Sequence, residues 1–428
     1  MESAGKGYCT VKNTEGFRTI FSFPASGFDN LMLLIFYHFF NQIIILMSPI
    51  AKNIFTGVAA VLFITGSARA QADSINIVST AVPFLRISPD ARAGGMGDLA
   101  IATSPDANAP FWNLAKVPFA KKRSAIAVNY TPWLKDLGLN DVYLASLAAY
   151  YKLDDQQAIS TSLRYFSLGN IQLTDYSGNV LNTVKPSEFS IDAGYSRILN
   201  EKMSIGVALR YINSRLVVGD VGTGVVYKAG NAVAGDVSLF YHGVNAEGEG
   251  LNWGIVLSNL GSKIGYTNDS RNKDYIPANL GLGVSYAKTI NESNKITFGL
   301  DINKLLVPSA PSATGNFSAD SAKLAQYRST SVVSSWMKSF SDGTNQLNSL
   351  QASLGAEYSY NEQFFVRAGY FYENKNRGNR KFFSLGAGFN LDNININFSY
   401  LVPSGSGVTR NPLSNTLRFG IVFNLAGE

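Results

Sequence analysis

Very few residues of this chain could carry catalytic or metal-binding chemistry. Its 428 residues include one cysteine, Cys9, and two histidines, His38 and His242. One cysteine cannot form an internal disulfide or a cysteine-based metal site. With only two histidines, the sequence gives no support for a histidine–metal cluster or a serine–histidine–aspartate triad. We therefore expect no enzymatic activity, no metal and no cofactor.

A glycine run, Gly94-Gly95-Met96-Gly97, superficially resembles a phosphate-binding loop. A functional loop of that kind follows an apolar strand and contains a lysine, and this run has neither. Glycine also permits tight turns and close approach of backbones. A structural role is therefore the simpler interpretation.

Charged residues also occur singly within apolar or small-residue segments, at Arg164, Arg210, Glu357, Arg367 and Arg418. Wherever such a segment is buried, its charges need partners. One interpretation is that these charges neutralise one another in a polar interior. The other is that they line a path for a conducted substrate, and the choice depends on the elements that carry them.

Those elements are alternating segments joined by linkers whose lengths also alternate. From about residue 124 onward, short joints occur at Asp154–Gln156, Asn200–Lys202, Asn245–Gly250, Asn291–Asn294, Asn361–Gln363 and Asp392–Asn393. Long linkers fall between them, at about 170–186, 217–231, 262–277, 308–348, 374–381 and 403–414. A closed antiparallel barrel in an outer membrane produces this parity, because tight turns lie on the periplasmic side and large loops lie outside.

The segments number about fourteen, and most reach the 9–11 residues that cross a bilayer at a tilt of about 45°. In one of them, Leu280, Leu282, Val284 and Tyr286 share a face, and small residues occupy the other. We predict an all-β fold, an outer-membrane antiparallel β-barrel with its apolar face toward lipid. An even number of strands places both termini on the periplasmic side and the long loops outside the cell.

Aromatic residues near the segment ends fit the interfacial girdles of such barrels. They are Tyr130, Trp133, Tyr150, Tyr151, Tyr241, Tyr358, Tyr360, Tyr370 and Tyr372. The last segment has Leu417, Phe419, Ile421 and Phe423 on one face. It resembles the C-terminal strand by which outer-membrane barrels are recognised for insertion.

The amino-terminal region indicates export. Lys52 precedes an apolar core from Ile54 to Ile64, and Ala68-Arg69-Ala70 is a small-residue cleavage site. Residues 47–70 are therefore predicted to be a secretory signal peptide.

The rest of the chain divides around this signal. Residues 1–46 are interpreted as an extension from an upstream start codon chosen in error, and the alternative is an inner-membrane anchor formed by Leu31 to Met47. After the signal, residues 71–123 form a periplasmic or plug segment and residues 124–428 form the barrel.

The charge balance limits the classes of partner. The formal net charge is +6, and charged residues make up only 15% of the chain. A basic chain suits an acidic partner or an outer-membrane lipid such as lipopolysaccharide. The sequence has no dense cluster of lysine and arginine interleaved with aromatic residues, so we expect no nucleic-acid partner.

The stretch 83–117 differs from the barrel segments, because it is dense in Gly, Ala, Pro and Asp. The inward faces of the predicted strands are rich in Gly, Ser and Ala, which leave room inside the lumen. We predict that this stretch folds into the lumen as a compact plug. Its candidate motif residues are Arg92, Gly94, Gly95, Gly97, Asp98, Asp106, Trp112 and Asn113.

The same stretch carries a resemblance to a known family. Ala91 to Ala100 read A-R-A-G-G-M-G-D-x-A, Ser104 to Ala109 read S-P-D-A-N-A, and Phe111 to Ala115 read F-W-N-x-A. This pattern resembles the amino-terminal signature of the PorV (LptO) family, the outer-membrane barrels of the type IX secretion system of Bacteroidota. The family is similar in fold to the FadL fatty-acid transporters, with about fourteen strands. One departure is Leu114, where the broader FadL-like pattern usually has proline.

The resemblance implies an adaptor protein. A PorV-type barrel associates with the type IX translocon barrel (SprA/Sov-like) and binds cargo proteins through their folded C-terminal signal domain. It delivers them to the cell-surface attachment complex, where a sortase-like protein (PorU-like) removes the signal. The alternative is a FadL-like outer-membrane transporter of hydrophobic small molecules. A kinked strand beside an apolar lumen pocket would favour that alternative, and Pro277 at the start of a predicted strand leaves it open.

The longest linker, 308–348, is the candidate partner-docking loop. Its first part, 309–318, is rich in Pro, Ser and Ala and is predicted to be irregular. Within 331–341 apolar residues recur at helical spacing, which predicts a short amphipathic helix. This helix either packs on the barrel rim or docks a partner. The residues concerned are Val332, Val333, Trp336, Met337 and Phe340.

Overall fold

The computed structural model describes residues 78–428, except 136–137, 175–176, 221–223, 270, 342–345, 376, 403–414 and 426–428. The predicted extension and signal peptide, and the linker at 403–414, lie outside the described residues. The described strands are β1 (Ser124–Pro132), β2 (Val142–Lys152), β3 (Gln157–Leu168), β4 (Ile171–Thr174), β5 (Val180–Val184), β6 (Ser187–Asn200), β7 (Met203–Arg215), β8 (Gly219–Asp220), β9 (Val226–Tyr227), β10 (Gly230–Val244), β11 (Gly250–Gly261), β12 (Ile264–Gly265), β13 (Lys273–Asp274), β14 (Asn279–Asn291), β15 (Asn294–Leu305), β16 (Leu350–Tyr360), β17 (Phe364–Glu373), β18 (Lys381–Leu391), β19 (Ile394–Val402) and β20 (Leu417–Leu425).

The long strands close into one antiparallel barrel, and the prediction of an all-β barrel is confirmed. The order around the barrel is β1-β2-β3-β6-β7-β10-β11-β14-β15-β16-β17-β18-β19-β20. The last strand pairs with the first, with Ser124 opposite Leu425 and Tyr130 opposite Phe419. Closure leaves no free sheet edge, so the backbone groups of every barrel strand have partners on both sides.

The long linkers contain small elements of their own. Three of them fold into two-stranded hairpins, β4–β5, β8–β9 and β12–β13. The helices are α1 (Ala91–Gly95), α2 (Ala109–Trp112), α3 (Phe317–Ser329) and α4 (Val332–Lys338). Short 3₁₀ turns occupy Pro83–Arg86, Leu114–Phe119 and Gln346–Ser349. Since the strands run up and down in sequence, all long linkers meet at one end of the barrel, the long-loop end, and all short joints meet at the other, the short-turn end.

The two faces of each strand differ in the way the alternation predicts. In β20 the side chains of Leu417, Phe419, Ile421 and Phe423 are 39–45% exposed, whereas Arg418 between them is 2% exposed. Side chains alternate across a strand, so the apolar set points outward and the polar or small set points into the lumen.

Outward aromatic rings form a band across neighbouring strands. The ring centroids of Tyr130 and Tyr143 lie 5.5 Å apart, and those of Tyr143 and Tyr165 lie 6.2 Å apart. Such a band is typical of the interfacial girdle of a membrane barrel.

Two residues assigned to the girdle from sequence lie elsewhere. Tyr150 is buried and faces the lumen, where its hydroxyl donates to the carbonyl of Lys122 at 3.1 Å. Trp133 packs edge-on against Phe166, with ring centroids 6.4 Å apart, beside a buried cluster. A position near a strand end is compatible with a side chain that faces lipid or one that faces the lumen. Contacts with buried neighbours place these two side chains on the lumen side.

Residues 78–123, named here the amino-terminal segment, run through the lumen. At the long-loop end, the Ala81 amide donates to the Tyr275 carbonyl at 2.9 Å. At the short-turn end, Lys121 pairs with Glu362 at 2.8 Å. The segment therefore runs from the long-loop end to the short-turn end before β1 begins.

The first described residue of the segment lies at the opposite end of the barrel from the start of β1. Strand β1 begins and β20 ends at the short-turn end, as an even strand number requires. The described chain, however, begins with Val78 near Leu305 and Val307, at the long-loop end. The two chain termini themselves lie outside the described residues.

The buried core lies between the segment and the inner wall. At the long-loop end Val82, Phe84 and Leu85 pack with Leu144 and Phe166 of the wall. At the short-turn end a second cluster joins the segment to the wall, and it includes Ala107, Leu114, Val117, Ala125, Tyr150 and Val422. Complete burial of a side chain such as Phe84 stabilises the folded chain by about 1.5–3 kcal/mol, so the segment is an integral part of the folded barrel.

Candidate functional site

The motif in the segment begins with a capped helix. The Asp90 carboxylate accepts from the Ala93 amide at 2.7 Å, which caps the first turn of α1. Its second oxygen accepts from the Trp112 indole at 2.5 Å. One buried carboxylate thus holds α1 against α2.

Arg92, on α1, connects the segment to the barrel wall. Its guanidinium donates to both carboxylate oxygens of Glu357, at 3.0 Å and 2.8 Å, and pairs with Asp106 at 2.7 Å. Glu357 also accepts from Arg367 of β17 at 2.6 Å. Bidentate arginine–carboxylate pairs combine charge with fixed geometry, so this network sets the position of α1 in the lumen.

The glycine run allows the segment to approach the wall at backbone distance. A Cβ on Gly95 would lie 2.9 Å from the Gly386 Cα, and one on Gly97 would lie 2.7 Å from the Tyr370 backbone nitrogen. Gly97 also has φ +72°, a left-handed conformation that favours glycine. Its amide donates to the Ser384 hydroxyl at 2.8 Å. The run therefore serves close packing, as its structural interpretation predicted.

The remaining motif residues also contact the wall or brace the segment. Asp98 pairs with Arg418 of β20 at 2.7 Å. The Asn113 amide donates to the carbonyls of Ile101 and Leu239, at 3.0 Å and 3.2 Å. A Cβ on Gly94 would strike the Arg418 guanidinium. All eight motif residues thus lie in the lumen, spread along one docked segment.

The other inward charges are engaged in the same way. Arg210 pairs with Asp192 at 2.5 Å and with Asp236 at 2.9 Å. Arg164 donates to the carbonyls of Leu85 and Phe111, at 3.0 Å and 3.2 Å. These contacts favour the interpretation that the inward charges neutralise one another over the interpretation that they line a path for a conducted substrate. Each charged group already has a hydrogen-bond or ion-pair partner within the protein.

Two lumen residues escaped the sequence analysis. Asp301 of β15 accepts from the amides of Ala100 and Ile101, at 2.7 Å and 2.9 Å. The Lys116 ammonium donates to the Ala100 carbonyl at 2.7 Å. Asp301 stands at an inward position of an alternating strand, the same signal that identified Glu357, so it could have been found.

Comparison with known proteins assigns this arrangement to a family. The family model for the type IX secretion system protein PorV matches residues 69–312, more than half of the chain. The chain belongs to the PorV family. It is therefore an outer-membrane component of type IX secretion, as the resemblance in the segment implied.

Several solved structures are similar to this PorV-family chain at low identity. The toluene transporter TbuX of Ralstonia pickettii is 10% identical, with a TM-score of 0.46 over 78% of this chain and 97% of that chain. The CymD monoaromatic hydrocarbon channel is 14% identical, with a TM-score of 0.47 over 79% and 98%. A FadL homologue of Pseudomonas aeruginosa is 12% identical, with a TM-score of 0.41 over 82% and 100%. The comparison with curated proteins finds no match.

The linker 308–348 of this PorV-family barrel contains two helices. The expected short helix is present as α4, but α3 begins at Phe317, at the end of the stretch predicted to be irregular. The Asn316 side chain caps α3 by accepting from the Ala319 amide at 3.1 Å. Helix α3 has no apolar face and no buried residue, so apolar periodicity could not reveal it.

The predicted docking residues divide between the two faces of α4. Val333 and Met337 are 63% and 69% exposed, and Phe340, two residues beyond the end of α4, is 44% exposed, with its ring centroid 5.1 Å from the Lys304 ammonium. The spacing of the three places them in one stripe. Val332 and Trp336 are half-buried on the other side. The helix thus packs on the protein with one face and leaves the stripe, named here the α4 stripe, exposed.

Tyr275 and Lys263 hold the corner between α3 and α4. The Tyr275 hydroxyl donates to the carbonyls of Tyr327 and Thr330, at 3.1 Å and 2.9 Å. The Lys263 ammonium donates to the Thr330 carbonyl at 2.6 Å and lies 4.2 Å from the centroid of the Tyr275 ring. Burial lowers the pKa of Lys263 and raises the pKa of Tyr275. Since Tyr275 also accepts from Ala81, one residue joins the helical loop to the amino-terminal segment.

Charge is unequally divided between the two ends of the barrel. The linker 133–141 between β1 and β2 lies at the same end as the long linkers and is counted with them. The described basic residues of these linkers are Lys135, Lys185, Lys228, Lys263, Arg271, Lys273, Lys323, Arg328, Lys338, Lys375, Arg377 and Arg380. The acidic ones are Asp141, Asp220, Asp269, Asp274 and Asp320. The short joints carry the basic residue Lys202 and the acidic residues Asp154, Asp155, Glu201, Glu247, Glu249, Glu292, Glu362 and Asp392. Lys121, Lys122 and Arg123, which precede β1 at the same end, offset part of this negative charge. Counting Asp136, Asp175, Asp342 and Arg410 of the long linkers, which the structure does not describe, leaves the long-loop end basic.

No helix in the described part of the chain combines the length and apolar character needed to span a membrane. Over the same residues, no group of three or more His, Cys, Asp or Glu side chains is placed to hold a metal ion.

Proposed function

We propose that this PorV-family barrel binds cargo proteins through their C-terminal signal domain at the type IX translocon barrel and delivers them to the attachment complex at the cell surface. The observation that carries this proposal is that the lumen and the long-loop end of the barrel differ in what they expose. The lumen contains a segment tied to the wall by buried ion pairs, and an apolar stripe is exposed at the long-loop end. We propose that the segment is a plug and that the working surface is outside the lumen.

The orientation follows from the same proposal. The long loops face the cell exterior and the short turns face the periplasm, as is usual for outer-membrane barrels. Cargo and attachment proteins then meet the long-loop end, where the α4 stripe lies. An exposed apolar stripe on a folded helix is typical of a protein contact, since it costs hydration free energy when left uncovered.

The deletion of the gene tests the cargo role. We expect proteins with C-terminal signal domains to be lost from the culture supernatant and cell surface, while fatty-acid uptake is normal. Complementation with the wild-type gene is the control. Normal secretion in the deletion strain would contradict the proposal.

A second experiment tests the α4 stripe. The triple variant Val333→Ser, Met337→Ser and Phe340→Ser should reduce co-purification of cargo proteins that carry the C-terminal signal domain at least tenfold. Leu347→Ser, which changes a 57% exposed residue of the same linker, is the matched control. Unchanged co-purification with correct barrel assembly would exclude the stripe as a docking surface.

The alternative, transport of hydrophobic small molecules, is less well supported. A strand irregularity does occur in β10, where the register shifts between Gly235 and Val237. It lies beside the charged cluster of Arg210 and Asp236, and the Asn259 amide there donates to the Pro277 carbonyl at 3.1 Å. A buried charged cluster is a poor path for an apolar solute.

A further inference from the structure

Three exposed lysines stand on α4, on α3 and on β13, which are the helix that carries the stripe and two elements joined to its corner. Lys338 is on α4 itself, and Lys323 is on α3. Lys273 lies on β13 next to Asp274, which pairs with Arg328 of α3 at 3.2 Å. No described carboxylate lies within ion-pair distance of any of these three lysines, although hydrogen bonds, and to a smaller degree the charge of Lys323, lower the pKa of Asp320 on the same helix. Arg271 and Arg328, in contrast, are paired with Asp269 and Asp274.

This cluster belongs to the basic end of the molecule. The long linkers carry more than twice as many basic as acidic described residues, and the short joints have the opposite balance. Charge of one sign concentrated on one face attracts an oppositely charged surface and orients it during encounter.

We propose that the α4 stripe and Lys273, Lys323 and Lys338 form one docking surface for a folded protein domain whose apolar patch is rimmed by aspartate and glutamate. The inference rests on the proposed function, since it assigns this chemistry to the C-terminal signal domain of the cargo. The apolar stripe supplies contact area, and the lysines supply steering and partner selection. Lysines on the loop surface beside exposed apolar side chains fit a protein partner better than a lipid phosphate, which reaches the barrel wall at the membrane interface.

The test uses the full-length barrel in detergent and, as the probe, the purified C-terminal signal domain of a secreted protein from the same cell. We expect Kd to rise at least tenfold between 50 and 300 mM NaCl, since surface electrostatics are screened over roughly 8–10 Å at physiological ionic strength. The triple variant Lys273→Glu, Lys323→Glu and Lys338→Glu should weaken binding at least tenfold at low salt. Met337→Ser should weaken binding equally at both salt concentrations.

The matched control reverses the same number of charges at the short-turn end, with Lys121→Glu, Lys122→Glu and Lys202→Glu. This variant should bind like the wild type. Equal loss in both triple variants would overturn the proposal, because net charge alone would then explain binding. Salt-independent binding that only Met337→Ser weakens would also overturn it, while leaving the proposed cargo role intact.

Two further outcomes separate the docking surface from its rivals. If the long-loop lysine variant loses binding of lipopolysaccharide micelles but binds the signal domain normally, the lysines serve a lipid and the inference fails. If the wild-type barrel does not bind the signal domain at all, the inference fails together with the proposed cargo role. Each variant is refolded and its migration on gels is compared before and after heating. A heat-modifiable band shows that the barrel is folded and that loss of binding is not loss of fold.

Discussion

Arg92 of the amino-terminal segment and Glu357 of β16 form a bidentate ion pair although 265 residues separate them in the sequence. The two distances, 3.0 Å and 2.8 Å, join two nitrogens of the guanidinium to the two oxygens of the carboxylate. Glu357 receives a second arginine, Arg367, from the neighbouring strand. The carboxylate is thus the point at which the wall holds the segment.

Removing that carboxylate should loosen the segment. Glu357→Gln leaves Arg92 and Arg367 facing each other in the lumen, and breaking a buried pair by removal of one partner costs about 3–5 kcal/mol. We expect frequent channel openings in planar bilayers, where the wild type is closed. Glu362→Gln, which removes the exposed partner of Lys121, should change conductance little. Equal conductance of wild type and Glu357→Gln would show that the segment does not depend on this pair.

The close approach of the segment to β17 predicts a sensitive glycine. A Cβ on Gly369 would lie 2.0 Å from the Met96 carbonyl carbon, so alanine there must displace the segment or the strand. We expect Gly369→Ala to reduce the free energy of unfolding by about 1–3 kcal/mol, measured by urea titration in detergent. In Gly235→Ala the nearest atom would lie 3.4 Å from the new Cβ, an ordinary contact, so this variant should be nearly neutral. A neutral Gly369→Ala would mean that the segment does not lie this close to the wall.

The course of the segment predicts from which side of the membrane a reagent can reach its first residues. Ser79 is exposed at the long-loop end, and Gln363 is exposed in a short joint. If the long loops face outward, Ser79→Cys on intact cells should react with a membrane-impermeant maleimide, and Gln363→Cys should react only after the outer membrane is permeabilised. The wild type serves as the blank, because Cys9, its only cysteine, precedes the predicted cleavage site. The reverse labelling pattern would invert the proposed orientation.

The contacts of Tyr275 with the corner between α3 and α4 predict that this residue stabilises both helices. Tyr275→Phe removes the hydroxyl whose single proton is shared between the carbonyls of Tyr327 and Thr330, and loss of that hydrogen bond costs about 0.5–1.5 kcal/mol. We expect amide hydrogen exchange in α3 and α4 to accelerate several-fold. Tyr266→Phe is the control, since its hydroxyl bonds to Ser214 in the same region without touching these helices. Unchanged exchange in Tyr275→Phe would mean that other contacts hold the corner.

Much of the barrel could be predicted because its signals are local. Alternation along single strands, such as Leu417, Phe419, Ile421 and Phe423 on one face of β20, reports which face meets lipid without knowledge of neighbours. Helix α4 was found by the same kind of periodicity. Helix α3 was missed because its residues are polar or exposed on all sides, and only the cap at Asn316 marks where it begins.

The candidate motif was recognised in sequence, but its partners were not. Gly97 and Asp98 could be named as motif residues, yet nothing in the chain connects them to Ser384 and Arg418, which they contact. Tyr150 shows the same limit, because a tyrosine at a strand end suits a lipid interface as well as a lumen contact.

The sequence alone determined that the chain forms an exported antiparallel barrel. It also determined that short linkers lie at one end of the barrel and long linkers at the other, and which segment carries the family signature. It could do so because strand alternation, turn length and a contiguous motif are properties of neighbouring residues. Only the tertiary structure decided the pairing of Arg92 with Glu357, the passage of the segment from the long-loop end to the short-turn end, and the exposure of the α4 stripe. Those features arise when the closed barrel brings together residues hundreds of positions apart, where charge pairing and close packing select one arrangement.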